Sequence, residues 1–343
     1  MSGWRQPLPL VLCDGNQLPG VFGFSVTETS NLGANVWSLK AAISADPGGL
    51  AAWDARTASV FDIRIGLNGS WTSLITGQAD TVIVNTTEGT LYAEGRDLTA
   101  RFIGARTNEA FVNQTSSDVA SLLAARQGLS AQVTQTTTPI GRYFGNEHDR
   151  VTLDRYTQAS NEWDLLVWLA QIEEFDVYVN GTTLVFTPPP QSSAPLLTLA
   201  SAMTGPVAPN VKSMRFERAF TLSGPIDVSV KSWNSQSQAG FQQTASSAGN
   251  GQGAQSSYVY IRPNINAGEA SRIATQKLTA ILSHQYVMTA ELPGEVDLTS
   301  QDKVAVVGTN SSFDQTYDVE EIIRTFDMKQ GFNERIRARS AGS

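Results

Sequence analysis

The sequence predicts a mixed β and α+β protein in which a β region, an α/β middle region and a second β region follow one another along 343 residues. Three observations carry that reading. Short segments with a two-residue apolar period fill the first hundred or so residues, two capped helices and a hairpin follow, and after Pro188-Pro189-Pro190 the strand pattern returns from about Val211. The expected boundaries are 1–106, 107–203 and 204–343, in line with roughly 100–200 residues per domain.

Taken in order, Phe22, Phe24 and Val26, then Val36, Trp37 and Leu39, mark half-buried strands. Val60 to Ile65 runs into Asn68-Gly69, a dipeptide suited to a two-residue hairpin turn, and Trp71 to Ile75 is the returning strand. A second hairpin joins Val82–Val84 to Leu91–Ala93 through Thr86-Thr87-Glu88-Gly89, and this spacing of short strands favours a barrel or sandwich. Thr115 with Asp118 three residues on signals a helix start, and Gly128 its stop. Ser160 or Asn161 caps a second helix with Trp163, Leu166, Val167 and Ala170 on one face, which must be largely buried. Val177 to Phe186 folds over Asn180-Gly181 as a hairpin.

In the last region, strands are expected at Met214–Phe220, Ile226–Trp233, Val304–Val307, Tyr317–Ile323 and near Ile336, with an amphipathic helix over 267–284. Residues Asn234–Ser257 carry one aromatic, Phe241, and no charge. They promise too little burial to offset ordering entropy, so the reading is a flexible loop over 234–257.

Composition narrows the function. The formal charge is −8, so clustered cations able to grip nucleic-acid phosphates are not expected. One cysteine, Cys13, and two histidines leave no basis for a disulfide framework or a metal site, and no cofactor is expected. Charged residues make up only 16%, which predicts an unusually neutral surface. No apolar run reaches the length of a membrane span and the start lacks the order of a signal peptide. The expectation is synthesis in the cytosol with no membrane anchor. The five sequons at Asn68, Asn85, Asn113, Asn180 and Asn310 then read as by-products of a Ser/Thr/Asn-rich chain.

Few residues invite catalysis. Glu147-His148-Asp149-Arg150 has the right residue types for acid/base work, but neighbours in sequence point different ways, and a solvated loop is the better reading. Glu173-Glu174 at a helix end and Asp318, Glu320 and Glu321 around a strand would need placing across a cleft to serve a glycosidase, and they read as solvated acids. His284 reads as a cation at a helix C-terminus, and Trp163 and Trp168 as core rather than sugar platforms. No phosphate-binding glycine loop or nucleophile elbow is present, so catalytic, metal and cofactor-binding residues are all expected to be none.

The order of pieces in the middle of the chain resembles a known family. Ser116–Leu129, Val151-Thr152-Leu153, Tyr156, Asn161–Ala170 with its Trp-Asp-Leu-Leu-Val-Trp-Leu-Ala run, and the hairpin Val177–Phe186 are similar to the late control D family of phage baseplate hub proteins. Val230-Lys231-Ser232-Trp233-Asn234, Ala267–Leu282, Tyr317-Asp318-Val319, Phe326 and Gly331 extend the likeness over most of the chain, with Arg324 or Thr325 where that family usually carries a histidine. The resemblance implies two β-barrel tube domains flanking the α/β middle domain, in the hub of a contractile tail. It further implies a homotrimer whose six barrels form a pseudo-sixfold ring between a hexameric tail tube protein and a separate central spike protein, as in the hub part of VgrG spike proteins. Other baseplate proteins would be neighbours, DNA would pass the lumen without specific binding, and the place would be the virion tail baseplate. On this view the segment 234–257 orders only on docking to a neighbouring ring, with Phe241 as its anchor. The alternatives are a tail-associated peptidoglycan hydrolase or glycosidase, and the distal hub of a noncontractile tail.

Overall fold

The computed structural model describes residues 6–30, 32–46, 48–67, 69–106, 111, 114–137, 139–140, 161–189, 194–200, 210–234, 239–249, 255–262 and 265–341. The chain forms two compact units. One comprises Met1–Ser192, Gly294–Asp297 and Ile322–Glu334, the other Ser193–Pro293, Leu298–Glu321 and Arg335–Ser343.

The first unit begins with strands β1 (Leu8–Cys13), β2 (Asn16–Gln17), β3 (Val21–Thr29), β4 (Val36–Ala42), β5 (Val60–Leu67), β6 (Ser70–Asn85) and β7 (Thr90–Asp97). They pair antiparallel in the order β2-β1-β5-β6-β7-β4-β3. Alternation buries Phe61, Ile63 and Ile65 on β5 and Trp37, Leu39 and Ala41 on β4, so one face of the sheet closes over a single apolar core. Trp37 lies 4.8 Å from Phe61 between ring centroids, and Trp53, on the short helix α1 (Gly49–Asp54), stacks on the same phenyl ring at 6.3 Å. The segments expected as two strands, Trp71–Ile75 and Val82–Val84, are one strand of 16 residues. A register shift between Ala79 and Thr81 absorbs the change of pattern, as a bulge does.

After α2 (Thr99–Gly104) a second core forms around β8 (Gln114–Thr115), α3 (Ser116–Arg126), β9 (Ser130–Val133), β10 (Pro139–Ile140), α4 (Glu162–Glu173), β11 (Asp176–Asn180) and β12 (Thr183–Thr187). Thr115 and Asp118 form a reciprocal capping box, Asn161 caps α4 through the Asp164 amide at 2.9 Å, and α4 ends on Glu174 in the left-handed region. Gly181 sits at φ +58° in the β11–β12 turn, a conformation a side chain would strain. Strand β9, which carries no clear alternation, gains its identity by pairing parallel to β12.

The second unit contains β13 (Leu197–Ala200), β14 (Ser213–Arg218), β15 (Ile226–Asn234), β16 (Ala239–Ser247), β17 (Ser256–Ile261), α5 (Ala267–Ser283), β18 (Tyr286–Pro293) and β19 (Lys303–Val307). It also takes the outer ends of the closing hairpin, β20 (Thr316–Asp327) and β21 (Gly331–Ser340), whose inner ends belong to the first unit. β14 pairs antiparallel with β18, and β13 parallel with β19.

One expectation is overturned here. Within Asn234–Ser257, read as a flexible loop, Ala239–Ser247 is β16 and pairs with the whole of β15, while β17 pairs parallel on the other side. The ladder supplies hydrogen bonds that the bland side chains do not advertise. Phe241 and Ala245 also pack against the buried Val230, Ala270 and Ala274.

Candidate functional site

Among the described residues the sequence-derived catalytic candidates do not converge. Glu147, His148, Asp149 and Arg150 lie outside the described residues. Glu173 accepts a hydrogen bond from Ser116 Oγ at 2.6 Å, which ties α4 to the start of α3. Its neighbour in kind, Glu162, is the buried acid of that helix and takes Arg126 Nη1 at 3.0 Å and Gln127 Nε2 at 2.6 Å. Trp163 is buried and donates its indole N–H to the Leu32 carbonyl at 2.8 Å, and Trp168 packs at the edge of the same core, so neither presents a sugar platform.

In the second unit the acids meet cations rather than each other. Asp318 is bridged by Lys303 at 3.0 Å. Glu320, with a side chain 8% exposed, is shared by Arg339 at 3.5 Å, Arg337 at 3.6 Å and His284 Nδ1 at 3.9 Å. His284 is the C-cap residue of α5. Phe241, the expected partner anchor, is half-buried against Val230 and α5.

Two buried acids escaped the sequence reading. Asp97 accepts backbone N–H bonds from Thr99 at 3.0 Å and Asn35 at 3.1 Å; burial pushes its carboxyl up to about 6 against those bonds. Glu334 faces Arg324 at 3.7 Å and accepts the Glu295 amide at 2.8 Å, while Arg324 also reaches Glu28 at 3.3 Å. Burial raises Glu334 to about 7, with the Arg324 charge opposing. The signal was available: Phe332, Glu334, Ile336 and Ala338 alternate along β21, which places Glu334 on the apolar face. Both acids organise backbone, and the nearby carboxylates of Glu295 and Glu28 add to the upward push on Glu334.

Cys13 is buried, with Arg56 Nη1 2.7 Å from its sulfur, and burial raises its thiol above the ordinary range. Among the described residues no group of three or more His, Cys, Asp or Glu is arranged to hold a metal ion, and no helix is long and apolar enough to cross a membrane. What the geometry offers is a β-rich scaffold whose candidate acids are held by cations, hydroxyls or backbone amides.

No protein-family model and no curated protein sequence matches the chain. Solved structures do. A tail protein from Neisseria meningitidis MC58 superposes with a TM-score of 0.72 over 98% of this chain and 97% of its own, at 14% identity. The 43 kDa tail protein of prophage MuSo2 from Shewanella oneidensis gives 0.73 over 98% and 99%, at 16% identity. An Escherichia coli component of the type VI secretion system, itself structurally similar to bacteriophage T4 tail proteins gp27 and gp5, gives 0.57 over 96% of this chain and 76% of its own, at 12% identity. The chain has the fold of these tail proteins.

Proposed function

We propose that this chain is a structural baseplate hub of a contractile phage tail or tail-like particle. The observation that carries the reading is the near-complete mutual coverage with phage tail proteins, shared with a type VI secretion component that resembles gp27 and gp5. The reading assigns the two β regions as barrel-like tube domains flanking the α/β layer. Three copies then present six such domains as a pseudo-sixfold ring, with a hexameric tail tube on one side and a separate trimeric spike on the other. A heterologous closed ring of this kind reconciles unlike symmetries without new sequence.

Charge and composition support it. A trimer of a chain with net charge −8 is strongly acidic as a whole, which suits a conduit past which a phosphate backbone slides. A chain only 16% charged suits extensive coverage by neighbours. Among the described residues, acids such as Glu162, Asp318 and Glu320 that meet cations favour this reading over a wall-degrading glycosidase. Native mass measurement tests it: a trimer is expected, alone or with the spike protein, and a stable dimer, or a monomer that persists beside the spike, overturns the hub assignment.

A further inference from the structure

Two adjoining clefts in the second unit have complementary chemistry. The first, about 530 Å³, runs along the exposed side of α5 and is lined by Arg272, Gln276, Thr279 and Ser283 with Asp318 and Arg339 opposite. Its charged lining residues are two arginines and one aspartate, and that Asp318 is also bridged by Lys303. On β21 the three arginines 335, 337 and 339 occupy alternate positions, with Ile336 and Ala338 buried on the opposite face, so a cationic stripe continues the cleft outward.

The second cleft, about 440 Å³, opens at the C-terminal turn of α5, and all its described lining residues are uncharged. Hydroxyls and amides dominate: Ser223, Ser247, Thr279, Gln285, Gln315 and Ser340 supply both donors and acceptors. Gln285 Nε2 donates to Ser223 Oγ at 3.0 Å and Ser340 Oγ to Gln315 Oε1 at 2.9 Å, which fixes the lining groups while leaving each with further capacity. Gly249, at φ +60°, approaches Gly224 so closely that a Cβ would stand 2.4 Å from its carbonyl carbon.

Thr279 and Ser283 line both clefts, so a single ligand can span them. We propose that the second unit binds an acidic oligosaccharide, with a neutral sugar ring in the hydroxyl-lined cleft and a carboxylate or other acidic substituent against Arg272 and Arg339. An apolar ligand would leave the amides and hydroxyls unpaired, and a small anion would use only the cationic half. This inference goes beyond the hub reading and does not depend on it.

Titration calorimetry on the full chain with two probes, a hyaluronan tetrasaccharide that carries uronates and uncharged chitotetraose, tests it. The acidic probe should bind about tenfold more tightly, and raising NaCl to about 0.5 M should shrink the gap. Thr279→Trp, at an exposed helical position, should abolish binding of both with an unchanged melting curve. Arg272→Gln with Arg339→Gln should bring the two probes to equal affinity. No binding of either probe at millimolar concentration, equal affinity in the unaltered chain, or binding indifferent to Thr279→Trp would each overturn the proposal.

Discussion

Two layers of the molecule share one plan and differ in how they are built. In the first unit β11, β12 and β9 form an antiparallel pair with a parallel third strand, covered by α3 and α4. In the second, β16, β15 and β17 repeat that arrangement, covered by α5. The former is filled by large side chains, among them Leu123, Leu166, Leu169 and Phe186, all fully buried. The latter closes on Ile226, Val228 and Val230 against Ala270, Ala274 and Leu278, where small residues let the helix lie near the sheet. The same pairing pattern therefore arises from deep packing in one place and from backbone pairing with close approach in the other.

The comparison predicts unequal responses. Leu166→Ala should destabilise the first layer by about 2–5 kcal/mol, the range for a large-to-small change at a fully buried site. The second layer should be more sensitive to added volume: Ala274→Leu should cost about 1–3 kcal/mol by overpacking beneath α5. Denaturant midpoints for the two variants check both, and a harmless Ala274→Leu would break the contrast.

Phe241→Ala sharpens it further. Because the ring is half-buried against Val230 and Ala274, the change should lower stability by about 1–2 kcal/mol, below the value for full burial. A melting curve identical to that of the unaltered protein would mean that the ring packs nowhere in the free chain.

The two layers also differ in how far the sequence reveals them. Around α3 and α4 every cue agreed: Thr115 with Asp118, Asn161, the Leu/Trp stripe and Asn180-Gly181 each stand where the structure uses them. In the second layer only α5 and β15 were legible. β16 reads Ala-Gly-Phe-Gln-Gln-Thr-Ala-Ser-Ser, whose inward positions include Gln243 and Ser247. Its strand character comes from pairing with β15, a long-range contact that no local window contains. The candidate site was less legible still. Arg272 and Thr279 share one face of α5 by helical spacing, but Gln285 and Arg339 reach the clefts from outside that helix, a long-range juxtaposition that no local window contains.

Where the layers use the same device they should respond alike. α3 and α5 both start with a capping box, Thr115 with Asp118 and Asn266 with Glu269. Thr115→Ala and Asn266→Ala should each cost about 1 kcal/mol. A large disparity would show that packing, not capping, fixes one helix start.

The smallest effect concerns pH. Asp176, on β11, is half-buried, and burial raises its carboxyl above the ordinary value. As pH rises through the window between the unfolded and folded values, the unfolded chain gives up the proton first, so stability falls. Asp176→Asn should flatten that slope slightly, as read from melting midpoints across the carboxylate range.

The hub reading is tested most directly by a reconstruction of the assembled particle. The account predicts three copies of this chain in one ring, between a sixfold tail tube and a threefold spike, with an acidic wall along the axis. A ring of six copies, a position on the sheath or fibres, or a basic axial wall would contradict it.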